Sequence, residues 1–465
     1  MSESPQLDHL RSEIERVTLS IIDLVGKRNT LVHDVAKEKF RISSPLVNPS
    51  VERQLRAAVS DRCRLSGVDP EFGQRLLNQL MEESIRLQRE ALPAESVYDG
   101  HALFTRAKDM ESSGKRVIHL EVGEPDFGPP TEVVQAMNSA VANRMTRYTQ
   151  STGILALREK IADIHSYTSN REISPQDVII TVSGKYALFL GVASCLQAGD
   201  EAIIIDPSFP AYSSCVRAVG GRPVHVPTEL ERDWILDVDI VREHINESTK
   251  LIVLNSPSNP TGTIMDERTC KALIDLAVEN DIRILSDEAY SVFSYTPHTS
   301  ILDFQSCDQT IVKSFSKPYG MTGFRLGYAI SDNETIKKMA RLQYLHLTCV
   351  PEFIQHAGIA ALDCDEHVKR NSETIRSRLQ LVSRLLSELP VSFRPAEGGF
   401  YIFAKLNSDK RNGVEFAERL LSEKGVCVMP GIIYGGQYSP FFRTSVCQPE
   451  DQLEEGLKLM AEVIG

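Results

Sequence analysis

The sequence predicts two folds in one chain, an all-helical segment followed by a larger α/β module. Three observations predict this. From about residue 7 to 91 apolar residues recur in steps of three and four, the period of helices that pack along one stripe. Beyond residue 100, short runs rich in Val and Ile alternate with helical stretches, as expected of strands buried on both faces and joined by helical crossovers. Between the two textures lies "ALPAESVYDG" (91–100), a polar joint punctuated by Pro93 and Gly100. The expected domains are therefore 1–92 and 93–465. The second divides into a large domain of about 145–345 and a small one made from about 97–144 and 346–465.

In the first segment "ISSPLVNPS" (42–50) and "LSGVDP" (65–70) interrupt the helical period, which leaves three helices, the first very long. Along that helix Leu10, Ile14, Val17, Ile21, Leu24, Leu31 and Val35 form an apolar stripe, interrupted by Arg28 and continued one step on by Lys39. Cations buried without partners are costly, so the stripe implies an anion. Arg11 lies beside the seam, and Ser84 and Gln88 extend the stripe of Leu77 and Met81 on the third helix. Polar groups gathered on helical stripes point to a ligand-filled bundle core. With Arg11, Arg28, Lys39, Glu52, Ser84 and Gln88, the ligand would be a compact dianion bearing a hydroxyl and an ether oxygen.

In the second module the strands are expected at "DVIITVSG", "DEAIIIDP", "KLIVLNSPSNPTG", "IRILSDEAY", "TIVKSFSK" and "RLGYAIS". Each is nearly continuously apolar and most are separated by helices, so the sheet should be largely parallel. The last hundred residues mix the strands "GGFYIFAKL" and "PFFRTSV" with the helices "VEFAERLLSEKG" and "EDQLEEGLKLMAEVI", a smaller α+β domain.

With 42% hydrophobic and 25% charged residues, the composition excludes disordered and fibrous classes. A net charge of -12 argues against a general nucleic-acid binder. Nine cysteines are scattered without a C-x-x-C pair, which fits reduced thiols, and no metal site is visible. No run approaches the roughly 18 apolar residues of a spanning helix, so no membrane association and a cytoplasmic location are expected.

The strand ends carry complementary chemistry. Lys317, in "SFSKPYGMTGFRLGY", follows a strand and is placed for a Schiff base. Asp287, in "LSDEAY", suits a pyridinium nitrogen, while Asn259 and Tyr290 offer donors for a ring oxygen. Ser314, Ser316 and Arg325 form a phosphate set, and "SGK", with Gly184 and Lys185, opens a helix whose free N–H groups also favour phosphate. Phe209, in "DPSFPAY", can stack on a ring.

"SPSNPTG", "SDEAY" and "SFSK...MTGFRLGY", in this order, resemble the signatures of fold type I, pyridoxal 5'-phosphate-dependent aminotransferases, over about residues 97–465. The resemblance implies Lys317 as the cofactor-binding lysine and proton shuttle, with Asp287 on the ring nitrogen. It implies Arg443, in "PFFRTS", as the fork for the substrate α-carboxylate, Gly123, in "VGEPDF", as a backbone contact to the same group, and Tyr148 as the tyrosine that reaches the neighbouring subunit's phosphate. The module would then be a homodimer. "TVSGKYALF" resembles "GGKQALF" of the aspartate and prephenate aminotransferase subgroup, where the lysine meets a distal carboxylate; otherwise Lys185 is a surface lysine at a helix start. That subgroup's assisting N-terminal arginine has no counterpart here.

Residues 7–90 resemble the all-helical (type II) class of chorismate mutase through "LRSEI", "KRNTLVHDVAKEK" and "EESIRLQ". That resemblance implies rearrangement of chorismate to prephenate, with Lys39 and Gln88 on the breaking ether oxygen, Arg28 and a partner chain's Arg11 on carboxylates, and Glu52 on the ring hydroxyl. It departs at Val51, usually arginine, and at Asn48, often acidic. The combined expectation is a bifunctional enzyme of aromatic amino-acid biosynthesis, with prephenate or an aryl-pyruvate aminated by glutamate or aspartate. The alternatives are a general aspartate aminotransferase with an attached mutase or degenerate sensor, a lyase or synthase on the same fold, and a transcription factor with an aminotransferase-like sensor.

Overall fold

The computed structural model describes residues 5–41, 49–90, 100–169, 171–304, 308–407 and 412–464; of these, 5, 37–41, 49–50, 89–90 and 100–101 are described by backbone alone. The chain divides into two compact units, Met1–Tyr98 and Asp99–Gly465.

The first unit holds helices α1 (Pro5–Arg41), α2 (Pro49–Ser66) and α3 (Pro70–Glu90). α3 packs against both others and buries Leu77, Met81 and Leu87 beside Gln74, Asn78, Ser84 and Gln88. The expected seam on α1 is corrected here. Leu10, Ile14, Val17, Ile21, Leu24, Leu31 and Val35 are all at least 46% exposed. The face that meets the bundle is offset by one position and runs through Val25, Arg28, Asn29, Val32 and Ala36. Length explains the mismatch: at about 1.5 Å per residue, α1 is roughly 55 Å long and α3 about 31 Å, so one chain can cover only part of α1. Arg28 therefore sits on the packed face rather than in a gap of the apolar stripe.

In the second unit α4 (Gly100–Ser112) precedes β1 (Ile118–His119). The central sheet uses β2 (Val178–Thr181), β3 (Glu201–Asp206), β4 (Arg222–Pro227), β5 (Thr249–Asn255), β6 (Arg283–Asp287), β7 (Gln309–Ser314) and β8 (Gly327–Ser331). Its order is β2-β8-β7-β6-β5-β3-β4, parallel throughout except for β8, which runs antiparallel to both neighbours. The continuous Val/Ile runs are explained by near-complete burial of β2, β3, β5, β6 and β8. The sequence pattern did not reveal β4. It is an edge strand, half exposed, and tolerates Pro223 and Pro227 because one side of its ladder is unpaired.

A second, antiparallel sheet joins β9 (Val391–Phe393), β10 (Tyr401–Leu406), β12 (Met429–Pro430) and β13 (Phe441–Ser445), in the order β12-β13-β10-β9. β1 pairs in parallel with β11 (Val426–Cys427), His119 opposite Cys427. The carboxyl ends of β3, β5, β6 and β7 carry Asp206, Asn255, Asp287 and Ser314, on the side where such sheets hold ligands. Among the described residues no helix is long and apolar enough to cross a membrane.

Candidate active site

At the end of β6 the Asp287 carboxylate is buried and accepts from the Tyr212 hydroxyl (3.0 Å) and the Ala289 N–H (3.1 Å). Burial pushes its carboxyl up to about 6, against the pull of those two donors. Asn255, at the end of β5, donates to the Asp287 carbonyl (2.8 Å) and accepts from the Asn259 N–H (2.8 Å). Asn259 in turn accepts from Arg443 Nη1 (2.8 Å). One chain of hydrogen bonds thus runs from the Asp287 backbone carbonyl at the end of β6 to an arginine on β13.

Arg443 is buried and lies over the rings of Tyr401 (3.9 Å to the centroid) and Tyr434 (5.4 Å). Its second Nη donates to the Glu121 carbonyl, and among the described residues its Nε has no hydrogen-bond partner. A guanidinium held on aromatic faces with an unused N–H is a ready anion fork. Lys317, in the turn after β7, donates to the Gly123 carbonyl (2.5 Å), and burial lowers its pKa. A Cβ on Gly123 would collide with the Tyr401 hydroxyl and the Phe400 ring, so only glycine lets this backbone come so close. Tyr290 is buried edge-on to Phe400 (5.1 Å) and shares a hydrogen bond with Tyr401.

Gly184 opens the helix Gly184–Cys195 beneath β7 and β8. A Cβ on Gly184 would stand 3.2 Å from Ser314 Cβ, and one on Gly327 would strike the Gly184 amide. This crossing brings the helix N-terminus against Ser314, whose hydroxyl accepts from the Ser316 N–H (3.1 Å). Arg325 adopts a left-handed backbone (φ 56°), unusual for a residue with a Cβ, and its exposed guanidinium donates to the Thr322 carbonyl (2.8 Å). Phe209 meets Tyr212 edge-on (5.7 Å), and the ammonium of exposed Lys185 lies 5.3 Å from the Phe209 ring centroid. Tyr148 is 87% exposed and joins none of these groups within its own chain.

Tyr212, Asn255, Tyr401 and Glu121 belong to this network and were not singled out from the sequence. Tyr401 had a usable signal: on β10, Phe403 lies opposite Arg443, and Tyr401 is two residues away on the same face. Tyr212 and Asn255 lie in "DPSFPAY" and "NSPSNPTG" close to Phe209 and Asn259, but only the fold shows that they touch Asp287.

In the helical unit Arg28 donates to the Leu80 carbonyl (2.8 Å) and to the Ser84 hydroxyl, which itself donates to the Leu80 carbonyl (2.7 Å). Burial lowers the Arg28 pKa. Gln88 is buried and donates to the Ser84 carbonyl (3.1 Å), and among the described residues neither its Oε1 nor Asn29 Oδ1 has a hydrogen-bond partner. Buried polar atoms left open beside a cation fit a polar ligand better than a sealed core. Glu52 is half-buried on α2. Arg11 is exposed and faces Asp8 on its own helix (3.8 Å), apart from Arg28. The Lys39 side chain and Asn48 lie outside the described residues; Val51 is exposed.

Comparison with known proteins gives both parts a family. Residues 115–459 match the family model of aminotransferase class I and II, and residues 10–89 that of chorismate mutase type II. The chain is 34% identical to an aspartate aminotransferase of Pyrococcus abyssi over 77% of this chain and 94% of that protein. It is 32% identical to a probable aspartate/prephenate aminotransferase of Aquifex aeolicus, over 77% and 94% respectively. The solved Thermus thermophilus aspartate aminotransferase with maleate superimposes with a TM-score of 0.75 at 33% identity, covering 79% of this chain and 97% of that one. Enzymes of this class depend on pyridoxal phosphate. The chain belongs to the class I and II aminotransferases and carries a type II chorismate mutase domain ahead of its aminotransferase domain.

Proposed function

We propose that the chain is a homodimeric bifunctional enzyme that converts chorismate to prephenate in its helical domain and transaminates prephenate in its α/β domain, with glutamate or aspartate as amino donor. The observation that carries the substrate assignment is the pairing itself: a mutase domain that forms prephenate shares a chain with a domain similar to a probable aspartate/prephenate aminotransferase.

In the mutase the reaction is a rearrangement within one molecule, so binding the reactive conformer and stabilising charge supply the rate. Arg28, supported by Ser84, holds one carboxylate, and Arg11 of a second copy holds the other. Gln88, through its amide N–H, and Lys39 are assigned the ether oxygen as its bond breaks, and Glu52 the ring hydroxyl. The open Gln88 Oε1 and Asn29 Oδ1, both acceptors, support a hydroxyl-bearing ligand here, and the exposed α1 stripe supports a second copy that brings Arg11.

The residues of the α/β crevice fit pyridoxal phosphate. Asp287, uncomfortable as a lone buried anion, suits a cationic ring nitrogen. Tyr290 and Asn259 suit the ring oxygen, and Phe209 the ring face. The Gly184 helix start, Ser314, Ser316 and Arg325 suit the phosphate, with Tyr148 reaching the other subunit's phosphate. The bound cofactor supplies an electron sink. Lys317 supplies the amine that holds it, and then moves the proton at the substrate's Cα. Arg443 and the Gly123 backbone grip the α-carboxylate and orient that Cα–H bond. Lys185, beside Phe209, is assigned the distal carboxylate.

Two results should follow. As pH falls through about 6, the apoenzyme's affinity for pyridoxal phosphate should decline, because a protonated Asp287 no longer offers charge to the ring; quenching of the single Trp234 on titration measures this. Lys185→Gln should lower kcat/KM about tenfold for prephenate and oxaloacetate while leaving phenylpyruvate and 4-hydroxyphenylpyruvate unchanged, the loss expected of one charge-assisted contact. Equal loss for all four acceptors would assign Lys185 to the cofactor, and a preference for oxaloacetate over prephenate would make the domain a general aspartate aminotransferase.

A further inference from the structure

Behind Arg443 lies a buried acid–base pair that the proposed mechanism does not use. Glu121 is almost fully buried; its Oε1 is 2.7 Å from Nδ1 of His119, two residues earlier on the same face of the segment that begins with β1, and its Oε2 has no nitrogen or oxygen donor among the described residues. The same residue's backbone carbonyl accepts from Arg443 Nη2. The flanking carbonyls are pinned to β13, with Ser445 N–H donating to Leu120 O (2.7 Å) and Ser445 Oγ to Val122 O (2.8 Å), so Glu121 O is the one aimed at the guanidinium.

Resting on the assignment of Arg443 as the carboxylate fork, we propose that Glu121 and His119 are positioning residues for Arg443: the His119 imidazolium holds the Glu121 carboxylate, which fixes the carbonyl that orients one arm of the guanidinium, so that loss of the His119 proton weakens the grip on substrate carboxylates. A buried carboxylate whose other polar neighbour is the neutral Cys427 thiol is stable only beside its counter-charge. Once His119 is neutral, the segment relieves that charge by shifting, and its carbonyl shifts with it.

The surroundings favour the protonated imidazole. From α4, Glu111 Oε1 approaches His119 Nε2 (3.2 Å), with Lys108 bonded to Glu111 (2.9 Å) and the Phe104 ring 6.5 Å away. From β11, the Cys427 thiol opposite is pushed up by burial and by Glu121, with Glu418 adding to that push, so it stays neutral. Hydrogen bonds and charge from Glu121 and Glu111 outweigh burial and raise the His119 pKa above its usual value. The pair is therefore complete at and below the usual histidine range and is lost as pH rises through the raised value.

The test measures binding of maleate, a non-reacting dicarboxylate, to the cofactor-loaded enzyme by titration calorimetry between pH 7 and 9.5, in two buffers of different ionisation enthalpy, with cofactor absorbance followed in the same samples. In the wild type, Kd should rise about three- to tenfold across the His119 titration, with proton uptake on binding, as expected when one hydrogen-bonded arm is loosened. His119→Gln should remove that rise and that proton uptake without moving the cofactor's own titration, and Glu121→Gln should weaken maleate at pH 7 and flatten its pH dependence. Superimposable curves and equal proton uptake for the wild type and His119→Gln would overturn the inference even if Glu121→Gln fails to fold. Arg443→Lys is the separate control: unchanged maleate binding there would refute the reading of Arg443 itself, and the inference with it.

Discussion

Lys317→Ala should abolish transamination while the same preparation still converts chorismate to prephenate at the wild-type rate. The expected loss is at least about 10⁴-fold in kcat, because the substitution removes both the amine that holds the cofactor and the base that moves the Cα proton. The fold should tolerate the change, since among the described residues the Lys317 side chain bonds to the Gly123 carbonyl alone, and its ammonium is already disfavoured by burial. Visible absorbance of the bound cofactor should change alongside activity. A variant that transaminates at the wild-type rate would remove Lys317 from the mechanism, and a parallel loss of mutase activity would mean that the two chemistries are not independent.

Arg28→Ala should produce the reverse pattern. Its guanidinium is held by the Leu80 carbonyl and the Ser84 hydroxyl, so the variant leaves a substrate carboxylate buried without its partner. Truncating one side of such a pair costs about 2–5 kcal/mol, so mutase kcat/KM should fall roughly 30- to 4,000-fold with transaminase activity unchanged. Steady-state assays of both activities on one sample check this. Full mutase activity in the variant would make the helical domain a dimerising bundle whose Arg28 merely caps the Leu80 carbonyl.

Much of the architecture was legible because local pattern and global environment agree. Continuous Val/Ile runs mark strands that the fold buries on both faces, and Pro and Gly mark the breaks that separate α1, α2 and α3. The stripe on α1 is apolar but lies exposed in the single chain, because periodicity reports which face seeks burial and not what covers it. β4 escaped because an edge strand with two prolines lacks the pattern of a buried one. At the site, residue types that announce chemistry, such as Lys317, Asp287 and Arg443, could be picked from motifs. Their supports could not: Tyr212, Asn255 and Glu121 act through contacts between segments tens to hundreds of residues apart, and Glu121 acts partly through its backbone carbonyl, which no side-chain reading predicts.

The central claim is that one chain carries chorismate through prephenate to an aminated product. Its most direct test is to incubate the purified protein with chorismate, pyridoxal phosphate and glutamate or aspartate, and to identify products by mass spectrometry. The account predicts arogenate, formed only when both the amino donor and the cofactor are present, with prephenate accumulating when either is left out. Prephenate that accumulates unaminated in the complete mixture, while oxaloacetate or aryl-pyruvates supplied separately are transaminated, would contradict it.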